Sequence, residues 1–182
     1  MKKVFVVVGL MMVMTGVNAQ KYFTRTGQIS FFSSTSIEDI EAHNKTVTAI
    51  FDSKSGAIQF SVTMKSFHFE KALMQEHFNE NYVESDQFPK ATFKGVIEGV
   101  NEIDFTKDGE YTVTINGKLT IHGVTQEIST QATFTMKDGV VKGESKIKVN
   151  PENYEIEIPG VVREKIAKEL EVTIVMNFKE KK

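Results

Sequence analysis

Most of this chain alternates apolar and polar residues with a period of two, a pattern that suits strands burying one face and wetting the other. The clearest run is Ile58-Gln59-Phe60-Ser61-Val62-Thr63-Met64-Lys65. Tyr111 to Ile115, Lys118 to Ile121, Ile128 to Met136, Ile147 to Val149 and Leu170 to Phe178 repeat it, with Gln28 to Phe32 and Thr46 to Phe51 as earlier candidates. β-branched and aromatic residues are frequent throughout, as half-buried pleated surfaces prefer. Ser55-Gly56, Asp108-Gly109, His122-Gly123 and Asp138-Gly139 are turn signals spaced for consecutive hairpins. Asn116-Gly117 fits a bulge or bend inside one long strand, because alternation resumes at once with Leu119 and Ile121.

Two segments break the alternation. Glu70 to Asn79 places Leu73 with His77 and Met74 with Phe78 at i,i+4, which predicts a short amphipathic helix. Val162, Ile166 and Leu170 recur at helical spacing within Val161 to Glu169, just after Pro159-Gly160, and predict a second one. The expectation is an all-β fold: seven or eight antiparallel strands, either two stacked sheets or one sheet curled into an up-and-down barrel, with one or two short helices. Closure would remove exposed edges, and eight strands can hold side chains or one small ligand.

The N-terminus carries two lysines, Lys2 and Lys3, followed by an apolar run from Val4 to Met14 and the small or polar Thr15-Gly16-Val17-Asn18-Ala19. This reads as a secretory signal peptide over residues 1–19, too short for a permanent spanning helix of ~20 residues. Cleavage near Ala19 predicts a periplasmic or secreted protein in which residues 20–182 form one domain. No cysteine is present, so disulfide staples, thiol chemistry and cysteine-ligated metal sites are excluded. Without Lys2 and Lys3 the chain has 20 basic against 24 acidic residues, which argues against a nucleic-acid partner.

Candidate chemistry is sparse. His43, His68, His77 and His122 fall in no metal-ligand or catalytic signature, and structural hydrogen bonding is the expected role of His77 and His122. Glu84 and Asp86 are read as solvated loop carboxylates, and no G-x-S-x-G elbow or phosphate loop occurs. The sequon Asn44-Lys45-Thr46 is short enough to arise by chance. No catalytic residue, metal or cofactor is assigned, and the chain is read as a non-enzyme.

The predicted inward set mixes Ala49, Ala132, Gly95 and Gly143 with Phe51, Phe60, Phe93 and Phe134, which leaves room inside a barrel. Fourteen phenylalanines and no tryptophan make an apolar wall without indole donors, and flexible methionines can mould to an irregular guest. An ordinary filled core remains the competing reading of this pattern.

Glu84-Ser85-Asp86-Gln87-Phe88-Pro89-Lys90-Ala91-Thr92-Phe93 and Gly117-Lys118-Leu119-Thr120-Ile121-His122-Gly123-Val124-Thr125 resemble two sequence blocks of the YceI-like family. Looser matches at Phe60-Ser61-Val62 and Asn153-Tyr154-Glu155-Ile156 extend the resemblance from Tyr22 to Phe178. One departure is Met74-Gln75-Glu76-His77-Phe78, where many members have Arg-Asp-x-His-Leu. The resemblance implies a lipocalin-like antiparallel barrel with a helix at one side, a hollow interior that binds isoprenoid or quinone tails, and pairing into homodimers.

By strand parity the wall of such an interior would comprise Phe51, Phe60, Val62, Met64, Phe67, Phe93, Leu119, Ile121, Phe134, Met136, Ile174 and Met176. Leu73, Met74 and Phe78 of the helix would cover it or line its entrance. The expected partner is a hydrophobic small molecule, a polyisoprenoid, isoprenoid quinone or similar lipid that the protein carries or stores. The alternatives are an exported stress-related or partner-binding module with a filled barrel, and a lipid-modifying enzyme.

Overall fold

The computed structural model describes residues 20–181, so the segment read as a signal peptide lies outside the described residues. Nine strands form one antiparallel sheet: β1 (Lys21–Ser34), β2 (Asp39–Asp52), β3 (Ala57–Thr63), β4 (His68–Phe69), β5 (Lys90–Ile97), β6 (Gly109–Ile121), β7 (Val124–Lys137), β8 (Val140–Val149) and β9 (Leu170–Glu180). The two-residue β4 continues the line of β3: β3 pairs with Thr48 to Phe51 of β2, and β4 pairs with Ala42 and His43 further along. Counted so, the sheet is a meander of eight members. It closes because β1 is bonded to β2 along one edge and to β9 along the other. The result is the closed antiparallel barrel that alternation left as one of two options.

The turns follow backbone chemistry. His122 (φ 50°) with Gly123 (φ 77°) and Asp138 (φ 52°) with Gly139 (φ 76°) are two-residue turns with both φ values positive, whose twist matches the flanking strands. Asp108-Gly109 is not a turn. Gly109 opens β6, while the Asp108 carboxylate accepts the Asp138 backbone N–H at 3.1 Å and braces the neighbouring hairpin. The link from β5 instead turns at Gly99 (φ 66°) into a 3₁₀ turn over Val100–Glu102.

Asn116-Gly117 lies inside β6 with no bulge, since the ladders to β5 and β7 run through it without a register shift. Gly117 faces Gly95, and the Phe93 ring lies over both: a Cβ on Gly117 would stand 2.5 Å from Phe93 Cζ and 2.5 Å from the Lys94 carbonyl oxygen. The glycine is required by close approach. The bulges occur in β1, where register shifts flank Gly27. Opposite them Asn44 is fully buried, its amide donating to the Thr63 carbonyl (2.9 Å) and its Oδ1 accepting from Thr46 N–H and Oγ1–H. That burial explains the sequon residue structurally.

The first predicted helix is α1 (Ala72–His77), continued by a π turn over Phe78–Tyr82 in which Val83 N–H donates to the Phe78 carbonyl at 2.9 Å. The second is absent. Gly160–Lys165 makes 3₁₀ turns and Ile166 is already extended, because Leu170 is held in β9 opposite Val149 and Ala167 N–H is held by Ser33 Oγ at 2.9 Å.

Rings of five residues plug one end of the barrel. Phe51 stacks on Tyr22 (centroids 4.8 Å apart, planes 7° apart) and meets Phe178 edge-on at 4.8 Å, with Phe134 and Phe105 beside it. Phe105 enters from a loop pinned by Asp104, which accepts from Thr106 N–H and Oγ1–H and pairs with Lys107 at 2.8 Å.

Gly117→Ala should destabilise the barrel by about 1–3 kcal/mol through overpacking against backbone, read as a fall in the urea midpoint at unchanged slope. The Lys107 hydrogen bond, with those from Thr106, holds the Asp104 carboxyl at about 2 against its ordinary 3.8. A lowered carboxylate lends stability above its unfolded value and loses it as pH falls through its folded one. The Tm difference between the wild type and Asp104→Asn should therefore be present at neutral pH and shrink between pH ~4 and ~2; a difference that stays constant across that window refutes the pinning role.

Candidate functional site

Beyond the aromatic plug the barrel is hollow. Where the inward column of β7 and β8 narrows to Ala132 and Gly143, a cavity of about 170 Å³ remains between the larger side chains, while the space over Gly95 and Gly117 is taken by the Phe93 ring. Its wall is hydrocarbon: Phe60, Val62 and Met64 from the β3 side, Phe93 from β5, Leu119 and Ile121 from β6, Phe134 from β7, and Ile174 with Met176 from β9. Thr92, Thr130 and Ser145 are the hydroxyl residues here, and the last two form a pair. They hydrogen-bond each other at 3.0 Å, and Ser145 Oγ donates to the Gln131 carbonyl at 2.7 Å, so their polarity is spent on backbone where the β7–β8 ladder ends at Ala132 and Ser145. Glu144 borders the cavity but its carboxylate pairs with Lys142 at 2.8 Å.

At the open end the bore meets a second space of about 390 Å³, a vestibule between α1 and the 158–166 segment. The two share Phe31, Phe78, Val83, Pro151, Ile156 and Leu170 as a common wall. The vestibule falls in the ~300–1,000 Å³ range of small-molecule sites, and the bore adds a smaller space beside it. Phe31, Phe67, Phe69 and Phe78 form an aromatic cluster at this junction, with Phe78 within 5.1–5.6 Å of the other three. The i,i+4 spacing that predicted α1 thus has a specific use. Met74 and Leu73 line the vestibule while Phe78, at the start of the π turn, reaches the junction.

The vestibule rim is polar. Lys71 Nζ donates to Glu38 Oε1 at 2.8 Å, and this hydrogen bond, with the charges of Lys71 and Lys165, holds the Glu38 carboxyl below its ordinary range. Burial pushes the Tyr82 phenol up, so that it remains a neutral hydroxyl on the vestibule wall. The wall between bore and vestibule is fixed from outside by His122: Nε2 lies 2.7 Å from Glu84 Oε2, Nδ1 lies 3.2 Å from the Tyr154 carbonyl oxygen, and Phe88 packs edge-on against the ring. Glu84 is therefore a partner of His122, not a solvated loop carboxylate. No local pattern could show this, since the two residues are 38 positions apart and meet only through the barrel. His77 lines the vestibule. Among the described residues, no three His, Asp or Glu side chains gather as a metal site.

Of the wall residues chosen by parity, Phe51 and Met136 do not border the cavity. Both are inward, as alternation requires, but they sit in the filled end, where Phe51 is the centre of the plug and Met136 is opposite Gly109. Ile128, Ile147 and Val172 border it and were overlooked, although they continue strands already recognised and parity alone could have found them. Pro151 and Ile156 carry no such signal, because they come from a loop with no period.

The sequence profile of the YceI-like domain matches residues 11–178. The chain belongs to the YceI-like family. Solved structures show the same fold at low identity. A polyisoprenoid binding domain from Saccharophagus degradans, implicated in plant cell wall breakdown, superposes with a TM-score of 0.78 at 14% identity, covering 90% of this chain and 100% of that one. Burkholderia cenocepacia BcnA gives 0.68 at 16% identity, covering 82% and 94%. The Campylobacter jejuni YceI protein gives 0.59 at 18%, covering 78% and 84%. No curated protein matches the chain. Membership accounts for the two sequence blocks: the first leads into β5, and the second is the β6 end with the His122-Gly123 turn that His122 ties to Glu84 and Tyr154.

The two halves of this YceI-like barrel should respond differently to truncation. Phe51→Ala removes the centre of a packed cluster and should cost about 3–5 kcal/mol, whereas Leu119→Ala enlarges space that is already vacant and should cost under about 2 kcal/mol by urea denaturation. Equal losses would mean that both ends are filled in solution.

Proposed function

We propose that this protein is an exported, non-catalytic binder of a long apolar molecule, a polyisoprenoid, isoprenoid quinone or similar lipid, which it carries or stores. The observation that carries the reading is the shape of the interior: an apolar bore plugged at one end by aromatic rings and adjoining at the other, across a shared wall, a larger, polar-rimmed vestibule. A tail enters such a dead-end bore from the vestibule, and its head stays at the rim beside Glu38 and Lys71. Burial of hydrocarbon is worth roughly 0.8 kcal/mol per CH₂, so a dozen chain carbons supply on the order of 8–10 kcal/mol before ordering costs. Specificity then rests on tail length and width, because the bore wall is almost wholly hydrocarbon and its Thr130 and Ser145 hydroxyls are already bonded within the protein.

The family and the polyisoprenoid-binding relative support a hydrophobic guest. The signal-peptide pattern of residues 1–19 supports a periplasmic or secreted location, and pairing into a homodimer remains part of the proposal by family likeness. The filled-barrel alternative describes only the plugged half.

Protein purified from its host without detergent, extracted with organic solvent and analysed by mass spectrometry, should yield a near-stoichiometric hydrophobic compound. Leu119→Trp, which fills the bore, should abolish uptake of a hydrophobic fluorophore, while Thr63→Asp on the outer face should leave it intact. An empty extract together with fluorophore uptake indifferent to Leu119→Trp would overturn the carrier.

A further inference from the structure

Large apolar side chains exposed on this barrel are few, and their distribution is uneven. Among the described residues the three most exposed are Val161 (91%), Leu73 (60%) and Ile37 (54%). Each belongs to a different segment, and all three segments border the vestibule. Val161 lies in the 3₁₀ turns beside the lining residues Val162 and Lys165, Leu73 is on α1, and Ile37 is in the β1–β2 turn next to Glu38. Val96 on β5 and Val140 on β8, the next most exposed, do not border either cavity.

We propose that the rim of the vestibule docks on a lipid bilayer surface, with Val161, Leu73 and Ile37 entering the headgroup–acyl boundary. The three tips are single side chains on three separate segments that also carry charge, Glu38 paired with Lys71 and Arg163 paired with Glu152 at 2.9 Å. Isolated tips leave no flat apolar face for a rigid protein partner to cover, whereas a fluid surface closes around each one. Both signs of charge are present at the rim, so insertion of apolar groups drives the contact and anionic lipid is not required. α1 fits this role. It buries none of its six residues, and it is held by Gln75, which accepts the Phe69 N–H at 3.2 Å, and by the π turn that carries Phe78 into the aromatic junction, which leaves Leu73 on its exposed side. The placement also has a transport logic that builds on the carrier reading: a long apolar tail is scarce in water, and a bore that opens onto the bilayer can take it without an aqueous step.

The test is flotation of the purified protein lacking residues 1–19 with phosphatidylcholine vesicles, paired with uptake of a hydrophobic fluorophore from buffer. The wild type should float with the vesicles. The double variant Ile37→Asp, Val161→Asp should lose more than about tenfold in partitioning, and Val96→Asp, Val140→Asp, equally conservative of the fold, should behave as wild type. The docking idea is overturned if the wild type ignores vesicles, if the rim variant still partitions, or if the control pair loses as much. A concentration-dependent dimer abolished by the rim variant, with vesicles ignored, would assign the tips to a second copy of the chain. Fluorophore uptake should survive in the rim variant; its failure in the wild type would count against the carrier reading, while vesicle flotation judges the docking surface by itself.

Discussion

Closure depends on one strand. β1 is hydrogen-bonded to β2 along one edge and to β9 along the other, joining the first and last members of a meander that would otherwise be an open sheet with two free edges. Its fourteen residues are not uniform. The bulges flanking Gly27 let one strand bend round the curve, and Gly27 itself leaves room for the Met176 sulfur, which would stand 2.2 Å from a Cβ. With the ring closed, every inward side chain competes for one enclosed volume.

That competition ends differently at the two ends. At the plugged end Tyr22, Phe51, Phe105, Phe134 and Phe178 meet ring on ring, and the Asp104 turn delivers Phe105 from outside the sheet. Next to it the small Ala132 and Gly143 and the larger aliphatic residues line a volume that does not fill. A filled core and a vacant cavity are thus successive layers of one barrel.

The open end is built from departures from the sheet. β3 gives way to a 3₁₀ turn at Met64–Ser66 and the short β4 before α1, and β8 gives way to the 150–169 segment, so two irregular stretches face one another across the mouth. They are pinned at a few places: Lys71 to Glu38, Ala167 to Ser33, and Tyr154 to the His122–Glu84 pair. Of the described residues, the three most exposed large apolar side chains, Val161, Leu73 and Ile37, sit on the segments around this mouth.

Period-two alternation, the turn dipeptides His122-Gly123 and Asp138-Gly139 and the i,i+4 pairs at Leu73/His77 and Met74/Phe78 are local properties, and the chain states them outright: β3, β6, β7, β9, α1 and the inward parity of Phe60, Leu119, Phe134 and Met176 were legible, whereas β5 and most of β8 were not, and Met64-Lys65, which keep the alternation, leave the strand for a 3₁₀ turn. Family likeness added the choice of barrel over sandwich. What no local pattern holds is depth along the barrel axis, so Phe51 and Met136 looked equivalent to Phe60 although they lie in the plug. Nor does it hold pairings between distant loops, so Glu84 passed for a solvated carboxylate, and the 160–165 turns passed for a helix because Val162, Ile166 and Leu170 keep helical spacing while β9 draws Leu170 into the sheet. The amino-acid order by itself determined which side of each strand faces inward, because parity needs only neighbouring residues. Where the interior is solid and where it is hollow was decided by the tertiary structure alone, because that depends on which rings closure brings to the same height.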